Sequence, residues 1–530
     1  MSQMPARRAG LWLTALLWVA VGPGAVKDVV DAAGLIAAIG AASPGDVIIL
    51  APGTYDLGRT TLSADTPGSP ETPILVRAEE LGDALILSRA AIAFRVSAPH
   101  WTFENLDIEG TCSNHSACEH AFQIVGKADF TTIRRCRMHE YNAMIKGNGE
   151  DPGGGMVFPD DVLVEFSQLF NSTVRNTGNP VTPIDVVGGQ RWIVRANTIS
   201  DFAKGRSDRI SYAAFFKGNS KDGLFERNLV ICELNHTEGR RLGLSFGGGG
   251  SDPPSICEDG ICIPEHSRGV MRNNVIVSCP DDVGIYLNEA ADSGIYNNTL
   301  FDTSGIDVRF EASVADLRNN ILSGSIRERD GGTATTGSNL ENVSEAEFFA
   351  WFTDPAAADF RLLDGTLLVD LGEALPEVRD DYCRNQRQDG VPDIGAVEYD
   401  GDLDCDTTSA GGGIGPTLWA SRLVRGEQAD FVVSELATGD RVSFLFSTSG
   451  LLPDAGPCPP FLLGECLDLL NPRLRGRVTA GADGSAVLTI PIPSGLAIGQ
   501  PVFAQAVVRR VIDDPTLLET NTVIRAVESP

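Results

Sequence analysis

Basic residues are scarce in this sequence: 42 Lys and Arg stand against 71 Asp and Glu in 530 residues, a formal net charge of −29. No basic run interrupts that balance, so a nucleic-acid backbone or an anionic membrane surface would be repelled, and neither is an expected partner. Histidine is scarcer still, with six residues, and no cysteine pair among the 11 has the C-x2-C spacing of a structural zinc site. Beyond the N-terminus no apolar run approaches the length of a membrane-spanning helix, and no phosphate loop or dinucleotide fingerprint occurs. What is plentiful is Gly (57) and Pro (30), within a chain that is 42% hydrophobic. That is too apolar for disorder and too rich in turn formers for a helical protein, so an all-β globular chain is expected.

The N-terminus has the order of a secretory signal: Arg7 and Arg8, the apolar run Leu11 to Val21, then Gly22-Pro23-Gly24-Ala25. Residues 1–25 are therefore expected to direct export, and the protein to be secreted and extracellular. The cysteines agree, because Cys112 with Cys118, Cys257 with Cys262, and Cys458 with Cys466 each suit a short disulfide loop. Cys383 and Cys405 suit a fourth, leaving Cys136, Cys232 and Cys279, of which at least one must stay a thiol.

A short segment recurs eight times: Phe103-Glu-Asn-Leu-Asp-Ile108, Ile133 to Met138, Val164 to Leu169, Val194 to Ile199, Phe225 to Val230, Met271 to Ile276, Ile295 to Leu300 and Leu317 to Leu322. Its fourth places lie 30, 31, 30, 31, 46, 24 and 22 residues apart, the length of one coil of a right-handed parallel β-helix with loops of varying size. Asn197, Asn228, Asn274, Asn298 and Asn320 fall at that place and predict an inward amide ladder at roughly 4.8 Å per coil. A second strand precedes the segment in each coil, as in Phe122 to Gly126, Ala143 to Gly147, Ile184 to Gly188 and Phe215 to Gly218, and its glycines predict positive-φ corners. The 46-residue interval marks a loop, Gly247 to Ser267, that should overhang one face.

The expected organisation is a signal peptide (1–25), a right-handed single-stranded parallel β-helix with an N-terminal cap helix at Asp31 to Ile39 (26–400), a Gly-rich linker (401–416), and a small antiparallel β-sandwich (417–530).

From Asp31 to Tyr399 the chain resembles exported right-handed parallel β-helix repeat proteins of the pectate lyase-like superfamily. Asp393-Ile-Gly-Ala-Val-Glu398 resembles a motif that closes many such helices. Phe215-Phe-Lys217-Gly, followed by Asn228, is similar to the chondroitinase B and alginate lyase group. That resemblance implies a polysaccharide lyase in which Lys217 removes the proton α to a uronate carboxylate and Ca2+ neutralises the carboxylate. The group carries an Arg on the next coil, where this sequence has Ser245, so Arg240 or Arg241 would have to supply it.

Around these residues Lys146, Arg209, Tyr212 and His236 are the expected substrate contacts, and Asp185, Glu226 and Glu289 the expected Ca2+ ligands. Asp292 and Glu311 are further acidic groups of the same face. Lys146 is expected in the place equivalent to Lys217, two coils earlier. Hydrolysis would need converging aspartates, for which Asp160-Asp161 and Asp281-Asp282 are the doublets present, each in a Pro-Asp-Asp-Val turn. The expected partner is a uronate-containing polysaccharide, met by a monomer. The alternative is a non-catalytic β-helix that binds a cell-surface or matrix polysaccharide.

Overall fold

The computed structural model describes residues 24–399 and 417–528, apart from 71, 238, 364–366, 384–386, 388–390, 421–422, 435, 437–439, 450–466, 468, 482–484, 510–516 and 520–522. Residues 1–23 of the signal segment, the linker and the Cys458 and Cys466 pair therefore lie outside the described residues.

Three parallel sheets form the first part of the chain. The first has twelve strands, from Val26–Val29 to Thr333–Gly337. The second has ten, from Leu62–Ala64 to Ser325–Arg329, and the third ten, from Gly53–Asp56 to Ile321–Leu322. Each coil gives one strand to the first sheet, one to the third and one to the second, and neighbours within a sheet come from successive coils. This is the right-handed parallel β-helix that the repeat predicts.

The repeated segment turns out to be two strands and a bend. Its second place ends a strand of the first sheet, as in Leu163–Glu165, and its fifth begins a strand of the third, as in Gln168–Phe170. The third place bends the chain through the left-handed region: Asn105, Arg135, Phe166, Ala196, Arg227, Asn273, Asn297 and Asn319 have φ between 50° and 58°. Such a conformation is unfavourable for residues with a Cβ, which is why the sequence alone did not reveal this corner.

The fourth place offsets that strain. Asn228 Oδ1 accepts from the Asn197 backbone N–H at 3.1 Å and from Asn197 Nδ2 at 3.2 Å. Asn274, Asn298 and Asn320 repeat the pattern at 2.9–3.0 Å, and the ladder continues to Asn339, one rung beyond the repeat. Each Nδ2 also donates to a carbonyl one coil further back, such as Asn274 to Phe225, so these buried amides are satisfied.

The second place builds a ladder of charge. Arg77, Glu104, Arg134, Glu165, Arg195, Glu226 and Arg272 stand level on successive strands of the first sheet, alternating in sign. Ion pairs join neighbours at 3.9 Å (Arg77 with Glu104), 3.5 Å (Glu104 with Arg134), 2.8 Å (Glu165 with Arg195) and 2.7 Å (Glu226 with Arg272). A one-coil slip would set like charges opposite each other, so the row fixes register.

The first coil is covered by the helix Ala32–Gly40, whose Asp31 cap accepts from Gly34 N–H at 2.7 Å, burying Leu35, Ala38 and Ile39. The Asp393 to Glu398 motif does not sit across the last coil. Ile394, Ala396 and Val397, with Phe348 and Phe360, pack against Leu229, Val275 and Ile321 of the third sheet. Ala396 N–H also bonds Thr299 Oγ1 at 2.9 Å, so the segment is a side cover.

Beyond Thr417 come a three-stranded antiparallel sheet and a six-stranded, mostly antiparallel one, sharing a core that includes Phe431, Phe444 and Val508. Disulfides join Cys112 to Cys118, Cys257 to Cys262, and Cys232 to Cys279, while Cys136 is a buried thiol. Cys383 is also disulfide-bonded, and Cys405 lies outside the described residues.

Candidate active site

Lys217 ends the strand Ile210–Lys217 of the second sheet. Gly218 follows at φ 75°, where a Cβ would lie 2.7 Å from Val187 and 2.9 Å from the Gly188 nitrogen, so only glycine fits this turn. The Gly247 to Ser267 loop then comes over the same end of the sheet, as its length predicts. Lys217 Nζ donates to Gly250 O at 2.8 Å and lies 5.0 Å from the centre of the Phe215 ring. Buried Glu265 staples the loop down, its Oε2 accepting from Gly218 N–H and Ser251 Oγ, both at 2.7 Å. Glu258 Oε1 adds a bond from Gly189 N–H at 2.6 Å.

Burial under this loop pulls the Lys217 ammonium below the ordinary lysine value. Asp185 and Glu265 oppose the shift and Lys146 assists it.

Lys146 is brought to the same face but not to the equivalent place. The register aligns Lys146 with Asp185 and Phe215, and Asn148 with Val187 and Lys217. The reason is Gly147, which lies inside the strand Ile145–Asn148 because Trp192 occupies the space a Cβ would need, 2.7 Å away. Corner glycines do occur at Gly126, Gly188 and Gly218, all with positive φ. Lys146 Nζ pairs with Asp185 Oδ1 at 2.6 Å, and Gln123 Nε2 donates to Asn148 Oδ1 at 3.1 Å beside them. Gln123 and Asn148 were not singled out from sequence; their parity with Lys146 and Lys217 in the second strand was the available signal.

The arginines expected to assist Lys217 are elsewhere. Arg240 and Arg241 stand level with Ile210 and Ser211, at the opposite end of the strand. Six residues at ~3.3 Å put Arg241 roughly 20 Å from Lys217 along the sheet. Arg241 is buried and paired with Glu233, and Arg240 reaches Asp282 at 3.6 Å. Arg209, which is exposed, lies beside them, its carbonyl accepting from Arg240 N–H at 2.8 Å. Tyr212 contacts Phe215 at 5.5 Å and Tyr286 at 6.5 Å, and its hydroxyl pKa is raised by burial. His236 Nε2 bonds Ser172 O at 2.8 Å in the loop before Arg240.

Ser245, where the resembling group has its Arg, is fully buried, its Oγ donating to Tyr286 O at 2.7 Å and accepting from Gly248 N–H at 3.1 Å. Gly243-Leu-Ser245-Phe-Gly247 also has the spacing of a nucleophile elbow. Here the serine lies within the strand Arg240–Phe246 and anchors the loop, so it carries no esterase chemistry.

The expected Ca2+ ligands do not converge. Asp185 is engaged by Lys146, and Glu226 belongs to the charge ladder of the first sheet, where Arg227, Arg272 and Arg195 hold its pKa down to about 2. Glu289 follows the strand Ile285–Asn288, and burial raises its pKa. Among the described residues no three His, Cys, Asp or Glu side chains are grouped to hold a metal ion. These residues do not fit a calcium site, and no reaction step is assigned to a metal. Asp160 and Asp161 both pair with Arg191, at 3.1 and 2.6 Å, as turn residues.

No family model and no curated protein matches the sequence. Solved structures with a likeness include an alginate lyase from Paenibacillus sp. str. FPU-7 (15% identity, TM-score 0.34, 60% of this chain and 95% of that one). A PL6 family polysaccharide lyase from Pseudopedobacter saltans matches at 13% identity and TM-score 0.33, over 64% of this chain and 97% of that one. A rhamnogalacturonan lyase matches at 15% and 0.38, over 65% and 92%. The fold described above rests on the strand order and register of this chain.

Proposed function

We propose that this chain is an exported polysaccharide-processing β-helix that cleaves a uronate-containing glycan by β-elimination, with Lys217 as the base. The observation that carries the reading is Lys217 itself, held beneath the Gly247 to Ser267 loop with its ammonium destabilised by burial, beside the Lys146–Asp185 pair. Unprotonated Lys217 takes the proton from the carbon α to the uronate carboxylate. The electrons form the new carbon–carbon double bond as the glycosidic carbon–oxygen bond breaks, and the departing oxygen takes that proton back from the Lys217 ammonium. In this reading Lys146, paired with Asp185 on the same face, turns to the uronate carboxylate when substrate binds. Export rests on the N-terminal pattern and agrees with the disulfides.

A second reading, a non-catalytic polysaccharide binder, is favoured by the position of Arg240 and Arg241 at the far end of the strand. The two are separated by incubating the mature protein with alginate, pectate and chondroitin and following the ultraviolet absorbance of the new double bond. Elimination predicts a rise that Lys217→Ala lowers by ~100-fold or more. Binding without any rise would support the second reading.

A further inference from the structure

The outward face of the second sheet opens toward the N-terminal coils and closes toward Lys217. Arg95, Gln123, Lys146, Asp185, Phe215 and Ser245 stand level along it on successive strands. Side-chain exposure falls from 30% at Arg95 to 19% at Lys146 and 9% at Asp185, and Phe215 and Ser245 are buried. The wall at this point is the Gly247 to Gly250 run. Gly248 is so close to Phe215 that a Cβ there would lie 3.0 Å from the ring, Gly248 N–H is tied to Ser245 Oγ, and Gly250 O takes the Lys217 ammonium. Beyond the wall the face does not reopen at once, because Tyr286 is buried and Asp307 is clamped by Arg327 and Arg329, both at 2.6 Å.

From this geometry we infer that the groove accepts the end of a polysaccharide chain, not its interior. This rests on the elimination reading and adds its mode. The terminal sugars lie along the row from Arg95 to Asp185, four coils at ~4.8 Å or roughly 15 Å between the outer two strands, and the chain end abuts the loop beside Lys217. A chain cannot continue past Gly248 without displacing backbone held at Gly248 N–H by the buried Ser245 Oγ and at Ser251 N–H by Glu265 Oε1. Cleavage at a closed end releases short products one at a time.

The test compares viscosity with absorbance during digestion of a long polyuronate. An end-acting enzyme raises absorbance while viscosity falls slowly, with short unsaturated oligosaccharides present from the first minutes. Rapid viscosity loss at low absorbance would overturn the inference and leave the elimination reading intact. Absence of any absorbance rise would overturn both. A binding readout uses Lys217→Ala with equal masses of intact polymer and partly hydrolysed fragments. Apparent affinity per unit mass is expected to rise in proportion to the number of chain ends, and equal affinity for the two would contradict end binding.

Discussion

Glu226 shows how one residue can suggest two chemistries. As an acidic residue in a β-helix coil it fits a cation site, but in the folded chain it is a rung between Arg195 and Arg272, with Arg227 beside it. Its pKa is held at about 2, below the ordinary glutamate value of 4.5, so its charge stabilises the fold fully above the unfolded value and loses that contribution as pH falls through about 2. Glu226→Gln takes the carboxylate from Arg272, while Arg195 keeps Glu165 and Arg227 keeps Asp380, and denaturant unfolding is expected to report a loss of ~3 kcal/mol at neutral pH. An unchanged midpoint would show that the ladder contributes little. Lys217 titrates in the opposite sense, since burial disfavours its cation. Its unprotonated fraction is already present below the ordinary lysine value, and the elimination rate is expected to climb with pH through a midpoint below 10.5.

The amide ladder joins six coils through paired contacts, and its interior rungs are buried while Asn339 is half-buried. Asn274→Ala removes an acceptor from Asn228 N–H and Nδ2 and a donor to Asn298, leaving buried groups unpaired at a cost of ~1–3 kcal/mol each. Thermal unfolding is expected to fall clearly more for Asn274→Ala than for Asn339→Ala; equal shifts would contradict the ladder as a stabilising unit. This element was legible in the sequence because one residue type recurs at one place. The alternating Glu and Arg at the second place were equally legible and carry the same register information. The left-handed bends were not, because residues as different as Phe166 and Asn319 occupy them and tertiary hydrogen bonding overrides local preference. The candidate site was legible only in part. Lys217 and its overhanging loop follow from the sequence, whereas Arg240 and Arg241, nearby in sequence, are carried away by a strand eight residues long.

A chain of net charge −29 meets a polyuronate with long-range repulsion, against which the local patch of Lys146 and Lys217 is weak, since Asp185 pairs with Lys146 and burial disfavours the Lys217 cation. Association is therefore expected to quicken as ionic strength rises from a few millimolar toward ~0.1 M, where the Debye length has shrunk to about 10 Å. Stopped-flow binding that slows monotonically with salt would show that the patch dominates the long-range field. The C-terminal module also touches the solenoid: Leu445, Phe503 and Val507 pack with Val47 and Leu75 of the first sheet. The central claim is that Lys217 removes a proton from a uronate. The most direct measurement is the initial rate of double-bond formation across pH for the wild-type protein beside Lys217→Ala. The account predicts a wild-type rate that rises with pH to a midpoint below that of free lysine and a variant reduced at every pH. A variant with the wild-type rate and profile would contradict it.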